Sequence, residues 1–321
     1  MAKKILKILG CLVLIPILAI AALYPGTRIV YRDFFDSANK EFPIPGLSDG
    51  FIPQGLDYSE EEAAYIICGY VSKGASRVYT VRKNGTAVKT ELKNQDGSDY
   101  TGHTGGVSHF QNYLYITAED GLDVFPLDEI LNGNTEVKKI GSVPVGLDPA
   151  YCHIENGVLI TGSFYRKGNY ETPKNQRRVT PSGDPNPAVA VVFKLDQNSP
   201  FGILPEPIAA FSTRGLVQGL CITGKGEIVL SASYATATSE LCFYDPEKAK
   251  QDPETFSLNG TEIPLFWLDG GSLIKTVKAP PMSEEILCRN GRIYIMTESA
   301  SNKYIFGKFT GASTLYSIPA E

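Results

Sequence analysis

A strand–turn–strand pattern recurs five times after residue 50, and this repetition constrains the fold more than any other feature of the chain. Each unit opens with polar or small residues and passes into an apolar strand, and a second apolar strand follows. The five openings are Pro53–Leu56, Thr104–Val107, Asp148–Tyr151, Val217–Leu220 and Ser283–Ile286. Tandem units of this length are typical of a β-propeller, so an all-β fold with a single propeller is predicted.

The spacing of the units favours five blades and leaves six open. The openings lie 51, 44, 69 and 66 residues apart, so the third and fourth units carry additions. In the third unit, residues 166–187 are rich in Pro, Gly and Asn and predict a long surface loop. In the fourth, the apolar runs 265–268 and 273–277 predict either extra outer strands or a degenerate sixth blade.

Three segments divide the chain: residues 1–25, residues 26–50 and the propeller at 51–321. The last unit offers three strands, which leaves its blade without an outer strand. The run Thr27–Tyr31 is strand-like, so segment 26–50 is predicted to supply that strand, close the ring and continue as a linker.

The N-terminal segment has the charge layout of a signal anchor or a signal peptide. Lys3, Lys4 and Lys7 precede a charge-free apolar run from Ile8 to Tyr24. The run is close to the shortest length that spans a bilayer. We expect a single-pass cell-membrane protein with an extracytoplasmic propeller, anchored through this segment, and the alternative is cleavage and secretion.

Net charge and cysteine content exclude one class of partner and predict the state of the thiols. The formal net charge is −5, which argues against nucleic acid. Five cysteines lie outside the apolar run, and their places in apolar strands predict free, buried thiols. The single propeller is expected to be a monomer.

Propeller geometry predicts which polar residues meet. The first strand of each blade starts on one face of the disc and the second strand returns to it, so both sets of residues converge at one mouth of the channel. The first set contains Gln54, His103, Thr104, Asp148, Gln218 and Glu284. The second contains Tyr70, Glu119, Tyr165, Tyr234 and Glu298. Such a mouth can hold a divalent cation or a hydroxylated ligand, or simply line a water-filled channel.

The three histidines divide into two groups. His103 lies in a Gly-flanked loop at the mouth and is the candidate general base. His109 and His153 are each four residues after the second position of their unit's opening, which predicts that they point in matching directions from neighbouring blades as a core pair. No Gly-x-Ser-x-Gly elbow, His-Glu-x-x-His motif, phosphate-binding Gly loop or Cys-x-x-Cys pair occurs in the sequence.

Two stretches carry a family resemblance. Pro53-Gln54-Gly55-Leu56-Asp57-Tyr58, with the strands that follow it, and Val217-Gln218-Gly219-Leu220 resemble blades of the strictosidine synthase, gluconolactonase and YncE-like propellers. In the lactonase members, the resemblance implies a channel metal held by a Glu of the first blade. Here that position is Gln54, so a Ca²⁺ site would depend on Asp148 and Glu284 instead.

Three hypotheses of function follow from these observations. The leading one is a non-catalytic, membrane-tethered propeller that binds a cell-wall, carbohydrate or protein ligand at its channel mouth. The second is a metal-assisted hydrolase of lactonase type, in which Asp148 and Glu284 hold Ca²⁺ and His103 moves a proton. The third is a scaffold of a membrane complex that uses loop 166–187.

Overall fold

A computed structural model describes residues 26–304 and 307–321 of the chain. Within these ranges the strands form a propeller of five blades, and the prediction of five blades is confirmed. Each blade runs from an inner strand to an outer one, and the inner strands pack against their neighbours around a common axis.

The blades are built from consecutive antiparallel strands. Blade 1 contains β2 (Ile52–Ser59), β3 (Ala64–Tyr70), β4 (Arg77–Arg82) and β5 (Ala87–Lys93). Blade 2 contains β6 (Val107–Phe110), β7 (Tyr113–Ala118), β8 (Gly121–Pro126) and β10 (Gly141–Pro144). Blade 3 contains β11 (Pro149–Glu155), β12 (Val158–Ser163), β15 (Ala188–Leu195) and β16 (Ile203–Thr213). Blade 4 contains β17 (Val217–Ile222), β18 (Ile228–Ala232), β19 (Ser239–Tyr244) and β23 (Leu273–Ala279).

Blade 5 is closed by the N-terminal part of the described chain. Its strands are β24 (Ser283–Arg289), β25 (Arg292–Thr297), β26 (Thr314–Pro319) and, outermost, β1 (Asn39–Pro43). β1 pairs antiparallel with β26, from Asn39 opposite Ser317 to Pro43 opposite Thr314. The predicted closure from segment 26–50 therefore occurs, but through β1.

The strand expected at Thr27–Tyr31 is wrong, because residues 26–30 are helical. The amide of Tyr31 donates to the carbonyl of Thr27 at 3.0 Å, and the helix Arg32–Ser37 follows. Phe34 is buried here with its ring 5.9 Å from that of Tyr316 in β26. Packing on blade 5 thus overrides the local strand propensity.

The additions to the third and fourth units extend the existing blades. β22 (Leu265–Trp267) joins blade 3 as a parallel strand beside β16, and run 273–277 lies in β23 of blade 4. Loop 166–187 contains the hairpin of β13 (Arg178–Val179) and β14 (Pro185–Asn186). The remaining strands are β9 (Glu136–Lys138), parallel to β5, and the hairpin β20 (Phe256–Leu258) with β21 (Thr261–Ile263).

Short helical segments complete the architecture. They are the α-helix Leu127–Leu131 and the 3-10 turns Leu47–Asp49, Lys174–Gln176, Pro200–Gly202 and Gly307–Thr310. None of the helices within 26–304 and 307–321 has the length and apolarity needed to cross a membrane. The predicted anchor or signal segment, residues 1–25, lies outside the described residues.

Apolar residues of neighbouring blades form the core. One cluster joins Tyr151 and Ile160 of blade 3 to Leu220 of blade 4, all buried. The described cysteines are free, as predicted, with Cys288 half-buried and the other four buried. The fold positions its polar residues on this apolar frame.

Candidate functional site

β-Bulges turn side chains toward the axis where the inner strands begin. Strand register slips by one residue at the start of four inner strands, so one residue on each is left over. The extra residues are Gln54, Ala150, Gln218 and Glu284. A bulge re-aims its side chain away from the regular alternation, so these positions face the channel end that we call the upper mouth. The upper mouth also includes Tyr70, His103 and Glu298.

A pair of carboxyl groups lies under the upper mouth in blade 5. Glu284 is 2% exposed and Glu298 is 9% exposed, and the two side chains hydrogen-bond to each other. Burial raises the pKa of both groups, and the proximity of the Glu298 charge raises the pKa of Glu284 further. Glu284 therefore holds the proton that the pair shares.

Side chains from the first and last blades donate hydrogen bonds to the Glu298 carboxylate. Gln54 of blade 1 donates from Nε2 to Oε2 of Glu298 at 3.1 Å and to the carbonyl of Pro53 at 2.8 Å. Tyr304 also hydrogen-bonds to Glu298, and that bond favours the carboxylate. The site thus spans the seam between the first and last blades.

An exposed cation, Lys303, lies near the pair and influences its charge. Lys303 Nζ lies 2.6 Å from the hydroxyl of Tyr70 and 5.0 Å from the ring centroid of Tyr304. Burial opposes its charge, but the bonds to Tyr304 and Tyr70 and the charge of Glu298 outweigh that effect and raise the pKa of Lys303. Its ammonium group is therefore charged, and its bonds to Tyr70 and Tyr304 leave one of three N–H donors for a ligand. Sequence reasoning missed Lys303 and Tyr304.

His103 lies beside this group. Its ring centroid is 4.8 Å from that of Tyr70, and the residue is exposed to solvent. Surrounding protein atoms and then the charge of Lys303 lower the pKa of His103, so the imidazole is neutral at pH 7. Thr104, in contrast, is fully buried and does not reach the mouth surface.

The predicted metal ligands lie apart. Asp148 is exposed, and burial, followed by the nearby charges of Glu119 and Asp120, raises its pKa. Glu284 is engaged with Glu298 instead. Among residues 26–304 and 307–321, no group of three or more His, Cys, Asp or Glu side chains is arranged to hold a metal ion. The side chains described here do not fit the Ca²⁺ site that the resemblance implied.

Aromatic and amide side chains form the blade 3 and blade 4 part of the mouth. Tyr165 and Tyr234, each just after a second strand, are half-buried, as is the bulge residue Gln218. The guanidinium carbon of Arg166 lies 4.0 Å from the ring centroid of Tyr234. Loop 166–187 thus contributes an arginine to this side of the mouth.

Glu285 blocks the axis below the mouth. It is 1% exposed, and its Oε1 accepts from the amide of Leu220 at 3.1 Å. A Cβ at Gly106 would lie 2.8 Å from Glu285 Oε2, and one at Gly219 would lie 2.6 Å from Glu285 Cα. Glycine is required at both positions because the inner strands approach so closely around this side chain.

The expected symmetry of His109 and His153 is wrong. Strand register makes Val107 equivalent to Cys152, so His153 corresponds to Ser108 and His109 to Ile154. The bulge at Ala150 adds one residue to β11, and sequence spacing does not reveal that shift. His109 instead contacts Asp57 of blade 1.

The described residues form a five-bladed β-propeller, and one mouth of its channel carries a buried carboxyl pair. No family model matches the chain, and no curated protein matches it either. The five blades of the described residues confirm the propeller part of the predicted resemblance. Separately, solved structures are similar to the chain.

Three of these structures share most of the chain's length. They are a glutaminyl cyclase of Myxococcus xanthus (11% identity, 88% of this chain and 94% of that chain, TM-score 0.44), an aldose sugar dehydrogenase of Streptomyces coelicolor in its PQQ-bound form (11%, 87% and 95%, 0.46) and a gluconolactonase of Xanthomonas campestris (13%, 88% and 89%, 0.40). These similarities concern the fold alone.

Proposed function

We propose that the upper mouth is a binding site for a hydroxylated ligand of the carbohydrate class, and that the protein is a non-catalytic binding propeller. One observation supports the proposal: a buried carboxyl pair, Glu284 with Glu298, lies near the exposed ammonium group of Lys303 at the mouth. Burying two acidic groups side by side costs free energy, and functional sites are where proteins retain such arrangements.

The fold itself does not require these acids. Register makes Glu284 equivalent to Gln54 and Gln218, which are neutral amides. Glu298 is equivalent to Tyr70 and Ser233 in the same way. Blades 1 and 4 form the same arrangement of four antiparallel strands without a carboxyl group at either position. The acids of blade 5 therefore serve something other than blade formation.

The chemistry of the mouth suits hydroxyl groups. A hydroxyl both donates and accepts, so it can donate to Glu298 and accept from Lys303. Tyr70, Tyr165 and Tyr234 add half-buried aromatic rings that can cover the apolar face of a sugar. Charges of both signs at the mouth favour a neutral or zwitterionic ligand over a strongly charged one.

A ligand screen tests the proposal. Ligand-detected NMR with a panel of neutral mono- and oligosaccharides compares the full chain with its Lys303→Met variant and with Glu206→Gln, an exposed carboxylate on outer strand β16. We expect signals that vanish in Lys303→Met and persist in Glu206→Gln. Signals that persist in both variants would place binding elsewhere and refute the site.

A second candidate is a hydrolase-like enzyme that uses proton transfer. A protonated Glu284 and a neutral His103 at one mouth supply an acid and a base at neutral pH, and this observation favours it. Glu284 would protonate a leaving oxygen, and His103 would deprotonate water. Catalysis would be established if the wild type converts a ligand from the screen to product and His103→Gln still binds that ligand without converting it.

We also propose that residues 1–25 tether the propeller to the cell membrane on its extracytoplasmic side. The three lysines before the apolar run support this orientation. Membrane fractionation of the full chain and of a chain lacking residues 1–25 tests the tether. Equal membrane retention of the two would contradict it.

A further inference from the structure

The end of the axis opposite the upper mouth holds a cavity of about 140 Å³. We call it the lower mouth, and the charged residues and histidines in its lining are Asp57, Glu60, His109, His153, Glu155 and Arg289. These residues lie at or just beyond the ends of inner strands, on the far side of buried Glu285. The two mouths are therefore separate sites.

Asp57 orients His109 at the lower mouth. Asp57 Oδ2 lies 2.6 Å from His109 Nδ1, and Asp57 Oδ1 accepts from the amide of Tyr58 at 2.8 Å. Both carboxylate oxygens are thus engaged. Because Asp57 holds Nδ1, the Nε2 of His109 is left without a partner among the described residues, and 24% of the side chain is exposed. Burial opposes charge on His109, but Asp57 outweighs it and raises the pKa of His109, so Nε2 is an acceptor only at a pH above that raised pKa.

Two further groups have unused hydrogen-bonding capacity. His153 is 6% exposed, and its Nε2 is buried without a hydrogen-bond partner in the described chain. Glu155 is exposed, and its carboxylate bonds to no described residue. Unpaired polar atoms of this kind in a concave site indicate a ligand that completes them.

The fold does not require polar residues here. Register makes Asp57 equivalent to Ser108, His153, Cys221 and Leu287 in the other blades. Cysteine and leucine satisfy the same strand position in blades 4 and 5. Asp57, His109, His153 and Glu155 thus come from blades 1 to 3, and Arg289 of blade 5 also contributes to the charged lining of the cavity.

The charge balance of the lower mouth favours a cation. Arg289 is neutralised by Glu60, with Nε at 2.7 Å and the second guanidinium nitrogen at 3.1 Å. The acidic groups Asp57 and Glu155 then remain, with His109 and His153 as the titratable bases. No three side chains of the described ranges are placed to coordinate a metal ion, so an organic cation fits the site better.

We infer that the lower mouth is a second binding site, which takes a small primary ammonium compound. An ammonium group has three N–H donors, and His109, His153 and Glu155 are three groups able to accept. Leu287 and Ile154 line the same cavity and can contact the carbon chain of the ligand. The cavity volume restricts the ligand to a small amine.

Titration calorimetry of the full chain with n-propylammonium chloride tests this inference. The measurement is made at about pH 9, above the ordinary pKa of histidine and below that of a primary amine. Propan-1-ol is the neutral control of the same shape, and Zn²⁺ tests for a metal site. We expect saturable binding of the amine and binding of the alcohol at least about tenfold weaker, because a charge-assisted bond is lost.

Two variants locate the site. Glu155→Gln should weaken amine binding about tenfold with an unchanged melting temperature, because this side chain is exposed. Glu206→Gln removes an exposed carboxylate far along the chain on β16 and should change nothing. Equal affinity for amine and alcohol, unaltered binding in Glu155→Gln, or stoichiometric Zn²⁺ that displaces the amine would each overturn the inference.

Discussion

The side-chain nitrogen of Gln54 lies 3.1 Å from Oε2 of Glu298 and joins the first blade of the propeller to the last. The bond crosses the seam at which the ring closes. β1 completes the last blade at the same seam, and its Phe42 ring lies 5.0 Å from that of Tyr65 in blade 1. Ring closure and the geometry of the upper mouth are therefore linked.

Removal of the closing strand should destabilise the whole propeller. A chain lacking residues 1–44 loses the β1–β26 ladder, and several bonds of about 1 kcal/mol each amount to a loss on the order of 3 kcal/mol. The freed edge of β26 should also promote aggregation. Thermal melts compare this chain with one lacking only residues 1–25, and equal melting temperatures would show that β1 does not close the ring.

Gly106→Ala should destabilise the fold by about 1–3 kcal/mol, because overpacking at a tight contact forces the backbone to shift. A Cβ there would lie 2.7 Å from the amide nitrogen of Cys152 and 2.8 Å from Glu285 Oε2. Gly224→Ala is the matched control, since nothing lies within 4 Å of its Cβ position. Urea unfolding measures both, and a tolerated Gly106→Ala would disprove the close approach of the inner strands.

His153 and His109 should give opposite pH dependences of stability. Burial lowers the pKa of His153 to about 4, so the unfolded state binds more protons below pH 6.5 and stability falls as the pH falls toward 4. The full effect is roughly 3 kcal/mol. Burial works against charge on His109 too, but Asp57 and then Glu61 outweigh it and raise the pKa of His109. The stability that protonated His109 contributes is complete below its unfolded pKa and is lost as the pH rises through its folded pKa.

Chemical unfolding between pH 4 and pH 9 measures these two slopes. His153→Gln should reduce the loss of unfolding free energy as the pH falls toward 4. His109→Gln should remove the loss of unfolding free energy as the pH rises through the folded pKa of His109. Parallel curves for wild type and both variants would exclude the assigned protonation states.

Glu284→Gln should stabilise the protein at alkaline pH. The pKa of Glu284 is raised in the folded state, so its stabilising effect is present below the unfolded pKa and is lost as the pH rises through the folded pKa. Glutamine mimics the protonated acid, and Gln54 and Gln218 show that it fits the bulge. We expect a gain of about 1 kcal/mol or more near pH 9, and a loss of stability instead would contradict the shared proton.

The structural elements that repeat from blade to blade could be predicted from the sequence. Blade openings, the hairpin turns and the mouth positions Gln54, Gln218 and Glu284 follow from local pattern. The turn Asn156–Gly157, for example, has positive φ at both residues, as its Asn-Gly sequence requires. Repetition makes such positions visible because each blade gives another copy of the same rule.

Other parts of the site depend on contacts that no local pattern encodes. Lys303 belongs to the segment after β25, and its approach to Tyr70 joins residues 233 positions apart. The Asp57–His109 contact spans 52 positions, and the bulge at Ala150 shifts His153 out of step with His109. The helix at 26–30 results from packing against blade 5. Each of these features requires the closed ring to exist first.

We propose that Glu298 and its carboxyl partner bind a hydroxylated ligand at the upper mouth. Calorimetric titration of wild type and Glu298→Gln with the best sugar from the screen tests it most directly, because glutamine can still accept from Gln54 but has only one acceptor oxygen. We predict affinity at least about tenfold weaker in Glu298→Gln, with no loss of melting temperature. Equal affinity in the two proteins would show that Glu298 does not contact the ligand.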